Sequence, residues 1–148
     1  MDKKRPKKRK PKISPSITGM AGVFFVSYQL SKKGMLVLPT NRNTKGFDII
    51  AMDKDGQRLK LIQVKTQKKR SRYWPCGSPV PDFMGKDAFY IFTRPEEKGK
   101  EHYESFIVPA NDVKKTIEER IEDYRQNPEN REKNQILGFM DGSCPEIN

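Results

Sequence analysis

The sequence has few of the side chains on which most metal sites and acid–base sites depend. Among its 148 residues there are two cysteines, Cys76 and Cys144, and one histidine, His102. This supply cannot build a zinc finger and does not indicate a disulfide scaffold. The lack of histidine also disfavours histidine-based catalysis. We therefore expect a reducing, intracellular location, cytoplasmic or, in a host with a nucleus, nuclear.

Long hydrophobic runs are also missing. No stretch approaches the roughly 18 apolar residues that a membrane span requires. The basic N-terminal segment is not followed directly by an apolar run, so no secretory signal is predicted and no membrane partner is expected. The length of 148 residues and the hydrophobic fraction of 34% predict one small domain around a single core.

Charge is distributed unevenly along the chain. Lys and Arg number 30 against 19 Asp and Glu, which gives a formal net charge of +11, and no acidic residue occurs between Asp2 and Asp48. Residues 1–16 combine eight basic residues with three prolines. They predict a flexible basic arm that attracts polyanions without selecting a sequence. A solubility tail or a nuclear-import signal is the alternative.

Two helices are predicted, one near each end of the domain. In the first, Thr18 is the predicted cap, and the residues up to Leu30 are apolar on nearly every side, which predicts deep burial. The second is predicted to begin at Asn111 or Asp112. Its apolar stripe has the spacing of a one-sided helix. The stripe consists of Val113, Ile117, Ile121 and Tyr124.

Short apolar or alternating runs predict about five strands between these helices. A hairpin signal at Lys54–Gly56 joins the second and third. The predicted fold is therefore α/β, with a central mixed sheet flanked by helices over residues 17–127. Residues 128–148 form a C-terminal extension that we expect to be loose. The predicted strands are Met35–Pro39, Phe47–Met52, Arg58–Thr66, Ala88–Thr93 and Ser105–Pro109.

Three polar side chains are predicted to meet at one end of this sheet. Asp48 begins the second strand, and Gln63 and Lys65 lie on the third. Residues i and i+2 of a strand point to the same face, so Gln63 and Lys65 project together. The hairpin brings that face beside Asp48. In a chain with so many charged residues, an Asp with a nearby Gln and Lys is a common pattern. The alternative to a shared site is therefore that Asp48 only ends a turn and that Lys65 is a solvated strand residue.

A basic loop is predicted after the third strand, over residues 67–86. Cations alternate there with aromatic residues, a pattern that suits phosphate contacts and base stacking. For the tryptophan alone, the favoured alternative is a core residue. The polar turn before Asp48 holds further cations. The candidate nucleic-acid contacts are Arg42, Lys45, Lys68, Lys69, Arg70, Arg72 and Trp74.

The order of a helix that ends in a basic pair and Gly34, an LVLP strand, a GFDII strand and an LIQVK strand resembles the PD-(D/E)xK nuclease superfamily. The resemblance spans roughly residues 18–109. It implies a restriction-endonuclease-like fold that hydrolyses DNA with Mg²⁺ or Mn²⁺. It assigns metal binding to Asp48 and Gln63, and water positioning or charge stabilisation to Lys65. By analogy alone, it also allows a homodimer.

The sequence departs from this family pattern at two positions. Gln63 stands in place of the second acid, and Val23 stands about where the family often has a Glu. Asp48 and Lys65 then cancel, so the local protein charge is neutral, and we expect weak metal affinity unless a substrate phosphate completes the site. Two alternatives remain open: a catalytically inactive DNA-binding module on the same fold, and an RNA-associated or ribonucleoprotein component.

Overall fold

A computed structural model describes residues 13–41, 46–76, 87–96, 102–128 and 138–140. The predicted arm residues 1–12 and the predicted contacts Arg42 and Lys45 lie outside these ranges. The described elements are α1 (Pro15–Lys32), β1 (Leu36–Pro39), β2 (Ile49–Met52), β3 (Leu59–Thr66), β4 (Tyr73–Pro75), β5 (Ala88–Pro95), β6 (Tyr103–Pro109), α2 (Ala110–Gln126) and β7 (Gly138–Met140).

A five-stranded mixed sheet forms the centre of the fold, in the order β1-β2-β3-β5-β6. Adjacent strands of this sheet are antiparallel, except that β3 and β5 are parallel. The predicted hairpin between β2 and β3 is present. Gly56 has a φ of 69°, and the Asp53 Oδ1 accepts hydrogen bonds from the backbone N–H groups of Gln57 and Arg58. The predicted α/β class, with a mixed sheet and flanking helices, is confirmed.

The helices cover opposite faces of the sheet. Successive residues of a strand alternate between these faces, so each helix packs against alternate strand positions. On the first face, Val23 and Val26 of α1 belong to an apolar cluster with Ile62 and Val64 of β3. The second face carries a cluster that joins α2, β4, β5 and β6. Gln63 and Lys65 lie between the buried positions of β3 and therefore point to this second face.

Helix α1 differs from its prediction in two respects. It begins at Pro15, and the Ser14 hydroxyl caps it by accepting a hydrogen bond from the Ile17 N–H, so the predicted cap at Thr18 is wrong and the predicted arm extends too far. Proline is favoured in the first turn, because its fixed φ suits a helix start. The predicted deep burial is also wrong, since Phe24 is 60% exposed.

Helix α2 begins at Ala110 with no side-chain cap, so the predicted caps at Asn111 and Asp112 are wrong. Its predicted stripe is present: Val113 and Ile117 are buried, and the two later members are half-buried. The negative charge of Asp112 in the first turn still complements the helix dipole. Neither helix in the described ranges is long and apolar enough to cross a membrane.

A second, two-stranded sheet lies where the sequence predicts only irregular chain. Strand β4 falls within the predicted loop 67–86, and it pairs with β7, which falls within the C-terminal extension. Residues 138–140 are thus paired rather than loose. This pairing joins segments more than sixty positions apart, with Trp74 opposite Phe139. A single sequence carries no local signal for such a contact.

Gly22 marks a close approach of α1 to the sheet, since a Cβ there would overlap the Thr66 Oγ1. We expect Gly22→Ala to lower the free energy of unfolding by about 1–3 kcal/mol, the typical cost of overpacking. Gly19 in the same helix has open space around a Cβ and is the matched control. Gly19→Ala should be neutral or stabilising by up to about 1 kcal/mol. Urea unfolding measures both, and equal effects would contradict the close approach.

Candidate metal and nucleic-acid site

Asp48 and Gln63 are in direct contact at one end of the sheet. In the antiparallel register of β2 and β3, Ile49 lies opposite Ile62, so the preceding residue, Asp48, lies opposite Gln63. The Asp48 N–H also donates to the Ile62 carbonyl at 2.8 Å. The Gln63 Nε2 donates to the Asp48 Oδ2 at 2.5 Å, and the Val64 N–H donates to the same oxygen at 2.8 Å. The hairpin therefore brings together two of the three residues singled out by the sequence.

The third member, Lys65, lies two residues beyond Gln63 on the same face of β3. Its ammonium group is near enough to Asp48 to lower the pKa of that carboxyl. Tyr90 lies opposite Gln63 on the parallel neighbour β5, so it extends the same row across the sheet. Burial, followed by the nearby Cys76 and Asp48, raises the pKa of Tyr90 to about 12. Tyr90 therefore stays neutral at physiological pH.

The surroundings of Asp48 disfavour the ionised form of its carboxyl group. Burial raises the pKa of its carboxyl above the ordinary value of 3.8, and this effect outweighs the Val64 N–H, Lys65 and Gln63, which all act to lower it. A carboxylate kept partly desolvated beside a lysine is a recurrent feature of functional sites, although structural networks can produce the same shift.

The donor set fits a hard cation in type but is weak in charge. Among the described residues, both hydrogen bonds that Asp48 accepts end on Oδ2, so Oδ1 remains as a possible ligand. The Gln63 amide turns its nitrogen toward Asp48, so it must flip to offer Oε1. Mg²⁺ and Mn²⁺ favour such oxygens, but one carboxylate holds them weakly unless a phosphate adds charge. No cluster of three or more His, Cys, Asp or Glu suited to a metal occurs within the described ranges.

Val23 does not contribute to this site. It is buried in the apolar cluster between α1 and the sheet, with Ile49, Ile62 and Val64. Gln63 and Lys65 point to the opposite face of β3. An acid placed at position 23 would thus lose its hydration without gaining a metal, because burying an unpaired carboxylate is costly.

The chain that follows β3 presents cations to solvent. The predicted contacts Lys68, Lys69, Arg70 and Arg72 are all exposed. Buried Arg94 links this segment to the sheet. Its Nη1 donates to the Ser71 carbonyl at 2.8 Å, and its Nε pairs with the Glu104 carboxylate at 2.5 Å. The guanidinium also lies over the Trp74 ring, at 5.4 Å from its centroid.

The predicted base-stacking role of Trp74 is wrong. Its side chain is 1% exposed and forms part of the core, where its Nε1 donates to the Thr93 carbonyl at 3.1 Å. Its ring also packs against Phe92 and Phe106 at centroid distances of 5.4 and 5.7 Å. A base could reach this ring only if the core opened, so the alternative of a core residue holds.

Sequence reasoning missed Tyr90 and Arg94. Tyr90 joins the site through the parallel register of β3 and β5, which no local pattern specifies. Arg94 lies at the end of an apolar strand, and its burial at 6% exposure depends on Glu104, its cross-strand partner. A charged residue that continues an apolar strand is the one available signal, because buried charges need partners.

The raised pKa of Asp48 has a consequence for stability. A carboxyl whose folded pKa lies above its unfolded value stabilises the fold most below the unfolded pKa, and this contribution is lost as pH rises through the folded pKa. Asp48→Asn keeps an acceptor oxygen for the Gln63 and Val64 donors without the charge. We expect it to raise the free energy of unfolding at neutral pH, and the gain to vanish as pH falls below 3.8.

Urea unfolding of both proteins across this pH range measures the effect. The control is Asp53→Asn, whose carboxylate lies in the exposed hairpin turn. If Asp48→Asn were less stable than the wild type at neutral pH, the attraction between Asp48 and Lys65 would outweigh the cost of burial.

No protein-family model matches the chain. No curated protein matches it. Among solved structures, a bacterial homing endonuclease, I-Ssp6803I, is similar at a TM-score of 0.43 and 19% sequence identity, over 66% of this chain and 67% of that chain. A likeness of this degree carries no weight for function.

Proposed function

We propose that this protein binds nucleic acid, with DNA favoured, and hydrolyses phosphodiester bonds at Asp48, Gln63 and Lys65 with the help of Mg²⁺ or Mn²⁺. The contact between the Asp48 carboxylate and the Gln63 amide carries the proposal, because the hydrogen bond from Gln63 Nε2 to Asp48 Oδ2 at 2.5 Å places both side chains together, on the face of the sheet that also carries Lys65. The exposed cations that follow β3, and the net charge of +11, favour a polyanionic substrate.

Each residue has a distinct role in this proposal. Asp48 and Gln63 would hold the metal, which when bound supplies Lewis-acid activation of water and neutralises phosphate charge. Lys65 orients the phosphate and stabilises the negative charge that develops on its oxygens. The cations Lys68, Lys69, Arg70 and Arg72 contact flanking phosphates and fix the backbone, without reading the sequence.

A second candidate is a non-catalytic DNA-binding module. The low negative charge of the site favours it, because Asp48 is the carboxylate that contacts Gln63 and no cluster of three or more His, Cys, Asp or Glu suited to a metal occurs within the described ranges. This candidate predicts salt-sensitive DNA binding that persists in EDTA. A ribonucleoprotein role, the third candidate, predicts tighter binding to RNA than to matched DNA.

The test is cleavage of plasmid, single-stranded and branched DNA in Mg²⁺ and in Mn²⁺. We expect Lys65→Met to slow cleavage by roughly a hundredfold or more, because a group that stabilises transition-state charge is lost. Asp48→Asn should abolish metal-dependent cleavage, and urea unfolding of the same variant at neutral pH checks that it is folded.

Lys60→Met is the matched control, since Lys60 lies on the same strand, points to the other face and pairs with Asp87 at 2.6 Å. It should cleave as the wild type does. Equal cleavage by the wild type and Lys65→Met would indicate a contaminant. No cleavage by any protein, with DNA binding retained in EDTA, would favour the binding module.

A further inference from the structure

Helix α1 is apolar on two opposite sides. Its inner side packs on the sheet through Val23 and Val26. Its outer side carries an exposed stripe at positions i, i+4, i+7 and i+11, the spacing of a single helix face. We define this outer stripe as Ile17, Ala21, Phe24 and Tyr28.

The outer stripe is exposed to a degree unusual for large apolar side chains. Ile17, Phe24 and Tyr28 are 62%, 60% and 61% exposed. A helix that is hydrophobic all round is normally buried all round. The sheet covers one side of α1, so a second partner is needed for the other.

The four residues of the outer stripe are uncharged, and exposed Lys32 lies one turn beyond Tyr28. The helix contains no Asp or Glu, and its single charged residue is Lys32 in the last turn. In the chain as a whole a third of the residues are charged, and the net charge is +11. Two copies of so basic a chain repel each other, so they associate most favourably through an uncharged, apolar face.

We propose that the outer stripe is the contact between two copies of this chain, with the two α1 helices packed antiparallel about a two-fold axis that passes between Ala21 and Phe24. This arrangement goes beyond the proposed nuclease activity and does not depend on it. It brings Ile17 against the partner's Tyr28, because the interface is self-complementary. Antiparallel helices also align their dipoles favourably.

The basic arms favour the same orientation. Residues 1–12 carry eight basic residues and one acid, a net charge of +7 on each chain. Helix α1 has 18 residues, which corresponds to a length of about 27 Å. Antiparallel packing therefore places the N-termini of the two helices, to which residues 1–12 lead, at opposite ends of the helix pair, whereas parallel packing would bring these N-termini together.

The area is close to what a dimer needs. Each large side chain of the stripe, about 60% exposed, offers on the order of 100 Å², since side chains of this class bury about 150–250 Å² in full. With Ala21 included, two copies would bury roughly 700–900 Å² before the polar rim is counted. Specific interfaces exceed about 1,000 Å² in total.

Sedimentation analysis of the full chain over about a hundredfold range of concentration, in high salt without nucleic acid, tests this proposal, because dimerisation follows mass action. The wild type should sediment with twice the chain mass. Phe24→Lys should raise the dimer dissociation constant about tenfold or more. Leu59→Lys is the control, since Leu59 is 47% exposed but lies on β3, away from the stripe.

Cross-linking tests the orientation. In a Cys144→Ser background, the Ile17→Cys chain mixed with the Tyr28→Cys chain should form a disulfide heterodimer on mild oxidation, and neither chain alone should link efficiently. Self-links of Ile17→Cys would overturn the antiparallel arrangement.

Two further results would overturn the self-contact itself. One is a wild type that stays monomeric at every concentration. If this monomer bound anionic lipid vesicles and Phe24→Lys abolished that binding, the partner of the outer stripe would be a lipid surface instead. The other is dimerisation that Phe24→Lys leaves unchanged while circular dichroism shows the same fold.

Discussion

Replacing Trp74 by alanine should lower the free energy of unfolding by about 3–5 kcal/mol, the range for a large aromatic lost from a core. The side chain is 1% exposed, contacts Phe92 and Phe106, and donates to the Thr93 carbonyl. Small domains have a total stability of about 5–15 kcal/mol, so this loss is a large part of it. The midpoint of urea unfolding measures the change.

Trp74→Phe separates the core role from base stacking. It keeps an apolar ring but removes one hydrogen bond and part of the ring volume, so it should cost about 1–3 kcal/mol, while the Thr93 carbonyl keeps the hydrogen bond from the Gln67 N–H at 2.8 Å. DNA affinity should stay within about twofold of the wild type, since a buried ring contributes no stacking energy. A large loss of affinity in folded Trp74→Phe would show instead that the ring leaves the core to stack on a base.

Neutralising the cations after β3 should weaken nucleic-acid binding strongly. We expect alanine at Lys68, Lys69, Arg70 and Arg72 to lower affinity by roughly a hundredfold at physiological salt. Each phosphate contact contributes about 0.9 to the slope of log affinity against log salt concentration, so the slope should fall by up to about 3.6. Fluorescence anisotropy titrations over a series of salt concentrations measure both quantities.

A control with the same loss of charge is available elsewhere in the structure. Alanine at Lys54, Arg58, Lys114 and Lys115 also removes four positive charges, but from the hairpin turn and from α2. If the cations after β3 contact phosphates, the control should change the slope by less than about 1. Equal changes in the two variants would show that net charge alone determines binding.

The strands of the sheet were predicted well from the sequence, because short-range patterns specify them. The alternation in β3 and the hairpin signal at Lys54–Gly56 are short-range patterns, and they were enough to place Asp48 beside Gln63. Helix α1 was placed correctly, but its burial was not. Its apolar composition gave no means of telling a face that packs on the sheet from a face such as that of Phe24, which remains exposed.

The parts that sequence reasoning missed depend on long-range pairing. Strand β4 exists because it meets β7, and Trp74 is buried because Phe92, Phe106 and Arg94 surround it. Arg94 in turn is buried because Glu104 lies opposite on β6. Such contacts come from the tertiary arrangement, so the pattern of cations and aromatics around Trp74 was consistent with either a stacking surface or a core edge.

The position of β3 has a consequence for how the protein opens. As the middle strand of five, β3 is hydrogen-bonded on both sides, so its amides should exchange with deuterium only at the rate of global unfolding. The cations Lys68, Lys69, Arg70 and Arg72 precede β4 in a segment that belongs to no helix or strand, so their amides should exchange faster, while buried Trp74 keeps β4 attached to the core. Gln63 and Lys65 therefore belong to the most protected unit, and the neighbouring cations to a less protected one. Under mild denaturant, the protein should loosen its hold on nucleic acid while the arrangement of Asp48, Gln63 and Lys65 stays intact.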